Sequence, residues 1–138
     1  MVDDNDLGLV ARRRVLEELG YRVTASTVPE QALKLFADQR FDLVITDYRM
    51  PRLNGRELIR RLREQSGSVP IILLSGYVDS IGLNEENTGA DLVLRKSENE
   101  VVQMTRAVGR LLRRTRKPAR KPPGSARPPA RAAKSGAG

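Results

Sequence analysis

The sequence predicts an α/β fold, a parallel sheet wound by helices on both faces. Two apolar, β-rich runs carry that reading: Leu43-Val44-Ile45 and the stretch VPIILL at 69–74. Continuous apolar runs of this length are the pattern of strands buried on both faces. Around them, segments with helical apolar spacing alternate with short connections, which calls for crossover units.

The elements follow in order. Residues 1–6 read like the end of a strand, too short to form a whole one. Residues 7–19 place Leu7, Val10, Ala11, Val15, Leu16 and Leu19 at helical spacing, with Gly20 as a C-cap signal. Residues 21–25 read as a short strand. Pro29 opens a helix at its tolerated first-turn position, with Ala32, Leu33, Leu35 and Phe36 as its core face. The central strand then ends abruptly on Asp47. Behind it Met50-Pro51 constrains the loop, and Gly55 relaxes the backbone where the next helix opens. That helix, 55–65, turns Leu58, Ile59 and Leu62 inward and its arginines outward. The strand at 69–74 ends on Ser75-Gly76. Residues 78–88 are the weakest stretch, because Gly82, Asn84 and Asn87 disfavour a regular helix. Residues 91–95 form the last strand, ending on Lys96. Ser97 and Glu100 have capping-box spacing for a helix through about Arg113.

Composition bounds the chemistry. At 138 residues the chain is one domain with an appendage. It has no Cys, so disulfides and thiolate metal sites are excluded, which suits a cytoplasmic setting. It has no His, which excludes Ser-His and Cys-His catalysis and any phosphohistidine of its own. No signal-peptide pattern is visible, and no apolar run approaches the roughly 18 residues that cross a membrane. The net charge of +8 belongs to one end. Residues 113–138 hold nine of the 25 basic residues and no acid, leaving sixteen bases against seventeen acids in residues 1–112. With its Lys, Arg, Pro, Ala, Gly and Ser composition, 113–138 is predicted to be a disordered basic tail. Such a tail contacts polyanions electrostatically, or serves only as a solubilising linker; it has no aromatic residue to stack on bases.

Strand ends carrying Asp3 and Asp4, Asp47, Ser75 and Lys96 share one edge of the predicted sheet, where open α/β sheets place ligands. Three converging carboxylates repel by about 4 kcal/mol per close pair, so they take up protons or bind a divalent cation. All-oxygen ligation suits Mg²⁺. A Lys ammonium beside it would neutralise an incoming phosphoryl group, leaving Asp47 as nucleophile and the Ser75 hydroxyl to bond the new phosphate. Singly, each feature has a plainer reading. Asp3 to Asp6 can cap the first helix, Ser75-Gly76 can be a turn, and Lys96 can be a solvated charge. Arg56, Arg60, Arg61 and Arg63, interleaved with Glu57 and Glu64, read as a solvated face rather than a nucleic-acid patch.

With Val2-Asp3-Asp4-Asn5, Asp47-Tyr48-Arg49-Met50-Pro51 plus Gly55, Ser75, Gly89-Ala90-Asp91 and Lys96, residues 1–112 resemble the receiver domain of two-component response regulators. The resemblance implies a flavodoxin-like three-layer αβα sandwich with a five-stranded parallel sheet in order 2-1-3-4-5. It implies a non-enzymatic phosphorelay switch. Asp47 would accept phosphate from a histidine kinase or histidine phosphotransfer protein, and output would pass through protein–protein interaction. Asp4, Asp47 and the Arg49 carbonyl would ligate Mg²⁺, with Asp3 acting through water, while Ser75 and Lys96 would bind phosphoryl oxygens. Arg49 and Tyr77 would flank the phosphate and slow its hydrolysis.

The sequence departs from the family pattern in four places. Only Met1 and Val2 precede the acid pair, so a hole is expected where the first strand should lie, and a start upstream of Met1 would restore it. Without that strand the fold is expected to be less stable than usual. Ser97 replaces the proline that usually follows the Lys in a cis bond; the cost of a cis bond before a non-proline residue, about 2.5–4 kcal/mol, implies strain or a different loop. Val93 stands where a switch aromatic is usual, and the stretch before the last strand is helix-poor. These departures suit an alternative, a pseudo-receiver that binds partners without phosphate control. An aspartyl-phosphate phosphatase is disfavoured, because Arg49 stands where that chemistry usually has a second Asp.

Overall fold

The computed structural model describes residues 1–76 and 82–116. Its elements are α1 (Asp6–Glu18), α2 (Pro29–Asp38), β1 (Val44–Asp47), α3 (Gly55–Gln65), β2 (Ile71–Ser75), α4 (Glu85–Thr88), β3 (Leu92–Arg95) and α5 (Glu100–Arg116). The strands pair in parallel in the order β1-β2-β3. Val2 adds two single-residue bridges, to Thr46 on one side and Ser26 on the other. The spatial order is therefore that of a five-stranded 2-1-3-4-5 sheet, with its first two strands reduced to bridges.

The expected strand at 21–25 does not form, and the reason is one of register. Ser26 pairs with Val2, so earlier residues would need partners ahead of Val2, and this sequence supplies only Met1. The Met1 ammonium donates to the Thr24 carbonyl at 2.9 Å and is buried there. Burial, with Arg13 adding repulsion, lowers its pKa from 8.0 to about 5. The expected hole is present as an apolar hollow lined by Met1, Val2, Ala32, Phe36, Phe41 and Leu58 among others. Above it Ala32, Leu33, Leu35 and Phe36 of α2 are only half-buried.

Alternation along the strands divides the core in two. Ile45, Ile72 and Leu74 face a cluster with Leu9 and Leu16 of α1 and Met104, Val108 and Leu111 of α5. Val44, Ile71 and Leu73 face Leu58, Ile59 and Leu62 of α3. Helices thus cover both faces, the three-layer sandwich expected. In α3 the predicted bounds and inward residues hold, with Asn54 as its N-cap, accepting from Glu57 N at 2.9 Å.

Three helix readings need correction. In α1 the buried residues are Leu9, Arg12 and Leu16, whereas Leu7, Val10 and Leu19 are exposed; the face is rotated from the predicted stripe. The Ser97–Glu100 capping box does not form. Ser97 Oγ accepts from Asn99 N, and the Glu100 carboxylate turns instead to Arg12. The last helix runs through Arg116, so residues 113–116, read as tail, are helical; residues 117–138 lie outside the described part. Between residues 82 and 91 only the single turn α4 is helical, held by reciprocal Asn84 and Asn87 side-chain bonds. No helix among the described residues is long and apolar enough to cross a membrane.

Candidate functional site

Asp47 closes β1, and the chain folds back over the strand tip. Tyr48 N donates to Leu74 O at 3.0 Å, and Gly55 N donates to Tyr48 O at 2.7 Å. Gly55 is required by space: a Cβ there would lie 2.5 Å from the Asp47 carbonyl oxygen and 2.9 Å from Tyr48 Cα. Met50 and Leu53 are buried in the α3-side core and anchor the loop, while Arg49 and Pro51 are exposed.

Asp3 reaches the same edge from the neighbouring segment. Val2 N donates to Ile45 O at 2.8 Å, and Asp47 N donates to Val2 O at 2.9 Å. Carboxylate oxygens of Asp3, Asp4 and Asp47 lie within 4.8 Å of one another; Asp3 and Asp47 are buried and Asp4 is exposed. Lys96 arrives from the end of β3, its backbone N–H donating to Ser75 O at 3.0 Å. Its Nζ lies 2.7 Å from Asp47 Oδ1 and 3.8 Å from Asp3 Oδ2. Ser75 is buried at the end of β2, one residue beyond Leu74, the register partner of Asp47. The predicted acids, the lysine and the strand-end serine therefore gather at one edge.

Electrostatics at Asp47 are balanced between opposing effects. Burial pushes its carboxyl above the ordinary range, and the Asp3 charge pushes the same way. The Lys96 ammonium and the Tyr48 N–H pull it back without cancelling the rise. Three carboxylates against the Lys96 ammonium and one guanidinium, Arg12, itself shared with Glu100, leave an all-oxygen donor set with surplus negative charge, which fits a hard divalent cation such as Mg²⁺.

Sequence reasoning missed Arg12. Its Nη1 lies 2.8 Å from Asp3 Oδ2 and its Nε 2.6 Å from Glu100 Oε2, and its side chain is 7% exposed. Burial works against its charge, but Glu100 and Asp3 together raise its pKa above the ordinary guanidinium value. A signal was available: Leu9, Arg12 and Leu16 fall at i, i+3 and i+7, one helical face with a charge in its middle.

Other features resolve more simply. No peptide bond among the described residues is cis, so the Lys96–Ser97 bond is trans and the loop differs from the proline form. Val93 is half-buried in β3, and Tyr77 lies outside the described residues. Arg60 and Arg61 pair with Glu57 and Glu64 on the exposed face of α3, the solvated face expected. Arg63 reaches Val69 O, Gly89 O and Asp91.

Comparison with known proteins decides the family: residues 1–107 match the response regulator receiver domain. The chain belongs to that family. It is 44% identical over 71 residues to the sensor protein EvgS of Escherichia coli K12, covering 51% of this chain and 6% of EvgS. The receiver domain of Francisella response regulator 1452 superposes with a TM-score of 0.74 at 30% identity, covering 83% of this chain and 94% of that one. The response regulator TrrA of Thermotoga maritima, solved in complex with Mg²⁺-BeF, gives a TM-score of 0.71 at 32% identity, covering 80% and 94%. This receiver thus spans a small fraction of the curated sensor it matches and nearly all of the solved receiver domains.

Proposed function

We propose that Asp47 takes up a phosphoryl group from a histidine-phosphorylated kinase or phosphotransfer partner, and that the modified receiver signals by binding another protein. The observation that carries this is the Lys96 ammonium 2.7 Å from Asp47 Oδ1, with Asp3 and Asp4 beside it. In this reading Asp4, Asp47 and the Arg49 carbonyl hold Mg²⁺ directly, and Asp3 holds it through water. The metal supplies charge neutralisation for the phosphoryl oxygens.

An Asp47 carboxylate oxygen forms the new bond to phosphorus as the P–N bond of the partner's phosphohistidine breaks. The imidazole keeps the electron pair and takes up a proton. Lys96 balances negative charge at the phosphoryl group, and the Ser75 hydroxyl bonds one of its oxygens. Water later cleaves the acyl phosphate to inorganic phosphate and free carboxylate. The phosphoryl group, carrying about −2 where the carboxylate carried −1, biases the segments around Ser75 and Lys96 between two arrangements.

Acetyl phosphate with Mg²⁺ should give a phosphoryl adduct, detected by intact mass, that Asp47→Asn abolishes. No adduct on a chain shown folded by circular dichroism would refute the reading. A second reading is favoured by the half-buried Val93 and the single-turn α4. It makes the chain an interaction module whose partner binding ignores phosphate. Equal partner affinity for the parent, Asp47→Asn and Asp47→Glu would select it.

A further inference from the structure

Arg12 is a buried guanidinium bonded to two carboxylates far apart in the chain, Asp3 and Glu100. The slot that holds it is built for it. Gly8, one turn earlier on α1, leaves the space in which a Cβ would lie 3.2 Å from Arg12 Nη1. Both oxygens of Asp3 have donors: Oδ1 accepts from Asn5 N at 2.9 Å, and Oδ2 accepts from Arg12 at 2.8 Å with Lys96 Nζ 3.8 Å away. A cation entering the acid cluster therefore meets a resident positive charge already fixed to one of its three carboxylates. Glu100 draws on that same charge from the start of α5.

We propose that Arg12 is a built-in counter-cation that sets how tightly the Asp3–Asp4–Asp47 cluster binds a divalent cation, with Glu100 tempering its charge. The proposal rests on the reading that this cluster binds Mg²⁺. It makes the charge at position 12 a determinant of metal loading, and it ties that loading to the first turn of α5. Arg12 is a positioning residue here; it acts on the metal through Asp3.

Calorimetric titration of the full chain with Mg²⁺, and with Mn²⁺ as a second probe, tests this. Removing one nearby positive charge in Arg12→Met should tighten binding by about tenfold, and removing the tempering carboxylate in Glu100→Gln should weaken it by about threefold. Arg12→Lys, which keeps the charge, should stay near the parent. A merely structural role would loosen the site in both Arg12→Met and Glu100→Gln, so shifts of opposite sign are the diagnostic result. Equal or weaker binding by folded Arg12→Met overturns the proposal while leaving the metal site standing, provided the parent binds and Asp47→Asn does not. Should Arg12→Met fail to fold, unchanged affinity in Glu100→Gln overturns it. If neither the parent nor Arg12→Met binds either ion, the metal-site reading and this proposal fall together.

Discussion

The two halves of the acid cluster rest on unlike foundations. Asp47 and Lys96 stand on a three-stranded ladder whose central residues, Ile71, Ile72 and Leu73, are completely buried. Asp3 and Asp4 stand on a segment held by two bridges, with a buried ammonium at its end and an apolar hollow beneath. The first half is positioned by packing. The second is positioned by a few backbone bonds, and its Asp3 carboxylate is paired with Arg12, which also reaches Glu100. One acid cluster thus joins an Asp47–Lys96 pair founded on a packed ladder to an Asp3–Asp4 pair founded on far fewer contacts.

The sharpest way to break this contrast is to disturb the rigid half. Gly55→Ala puts a methyl group into backbone at 2.5 Å and should destabilise the fold by about 3 kcal/mol or more, read from urea denaturation. Ile72→Ala, at the centre of the ladder, should cost about 2–5 kcal/mol. Phe36→Ala, half-buried over the hollow, should cost less than half as much as Ile72→Ala, because part of its surface already lacks packing partners. Equal losses at positions 36 and 72 would mean that the α2 side is packed as firmly as the ladder.

The loosely founded half has a pH signature. The unfolded Met1 amine holds its proton up to about pH 8, whereas the buried amine holds it only up to about pH 5. Between those values the unfolded chain binds more protons, so stability should rise with pH, by on the order of a few kcal/mol across the whole window. Below the window both states are protonated and the full penalty applies; above it neither is, and the penalty vanishes. An N-terminally acetylated chain keeps an N–H for Thr24 but has no amine to titrate, so its urea midpoint should lose this slope. An unchanged slope would place the pH dependence at another group, and not at Asp47, whose raised carboxyl pKa makes stability fall as pH rises.

The same division governs what could be read from sequence. Where burial is complete, pattern and structure agree. The apolar runs ending at Asp47 and Ser75, the α3 face and the shared strand edge were legible, because a strand buried on both faces tolerates few polar residues. Most misreadings involve the N-terminal segment or the Arg12 that it carries. The stripe of α1 was misassigned because an arginine occupies a core-facing position and apolar residues such as Leu7 and Val10 face outward. The 21–25 strand was expected from its own composition, yet a strand exists only with a partner, and partner supply is not a local property. Spacing alone predicts the Ser97–Glu100 box, but a buried guanidinium 88 residues away competes successfully for the carboxylate. Each failure is tertiary context, a contact made or a partner lacking, overriding a local preference.

The smallest expected effect bears on the hollow itself. Ala32 lines it from α2, and a leucine there keeps good helix propensity while adding three carbons towards Phe36 and Leu58. Ala32→Leu should therefore stabilise the chain by about 1 kcal/mol in urea denaturation, the usual yield of cavity filling. It should also leave Asp47 phosphorylation untouched, since α2 contributes no side chain to the acid cluster. A loss of stability would show that α2 already collapses onto β1 in solution. The two halves of the site would then be packed alike, and the Phe36→Ala and Ile72→Ala losses should converge.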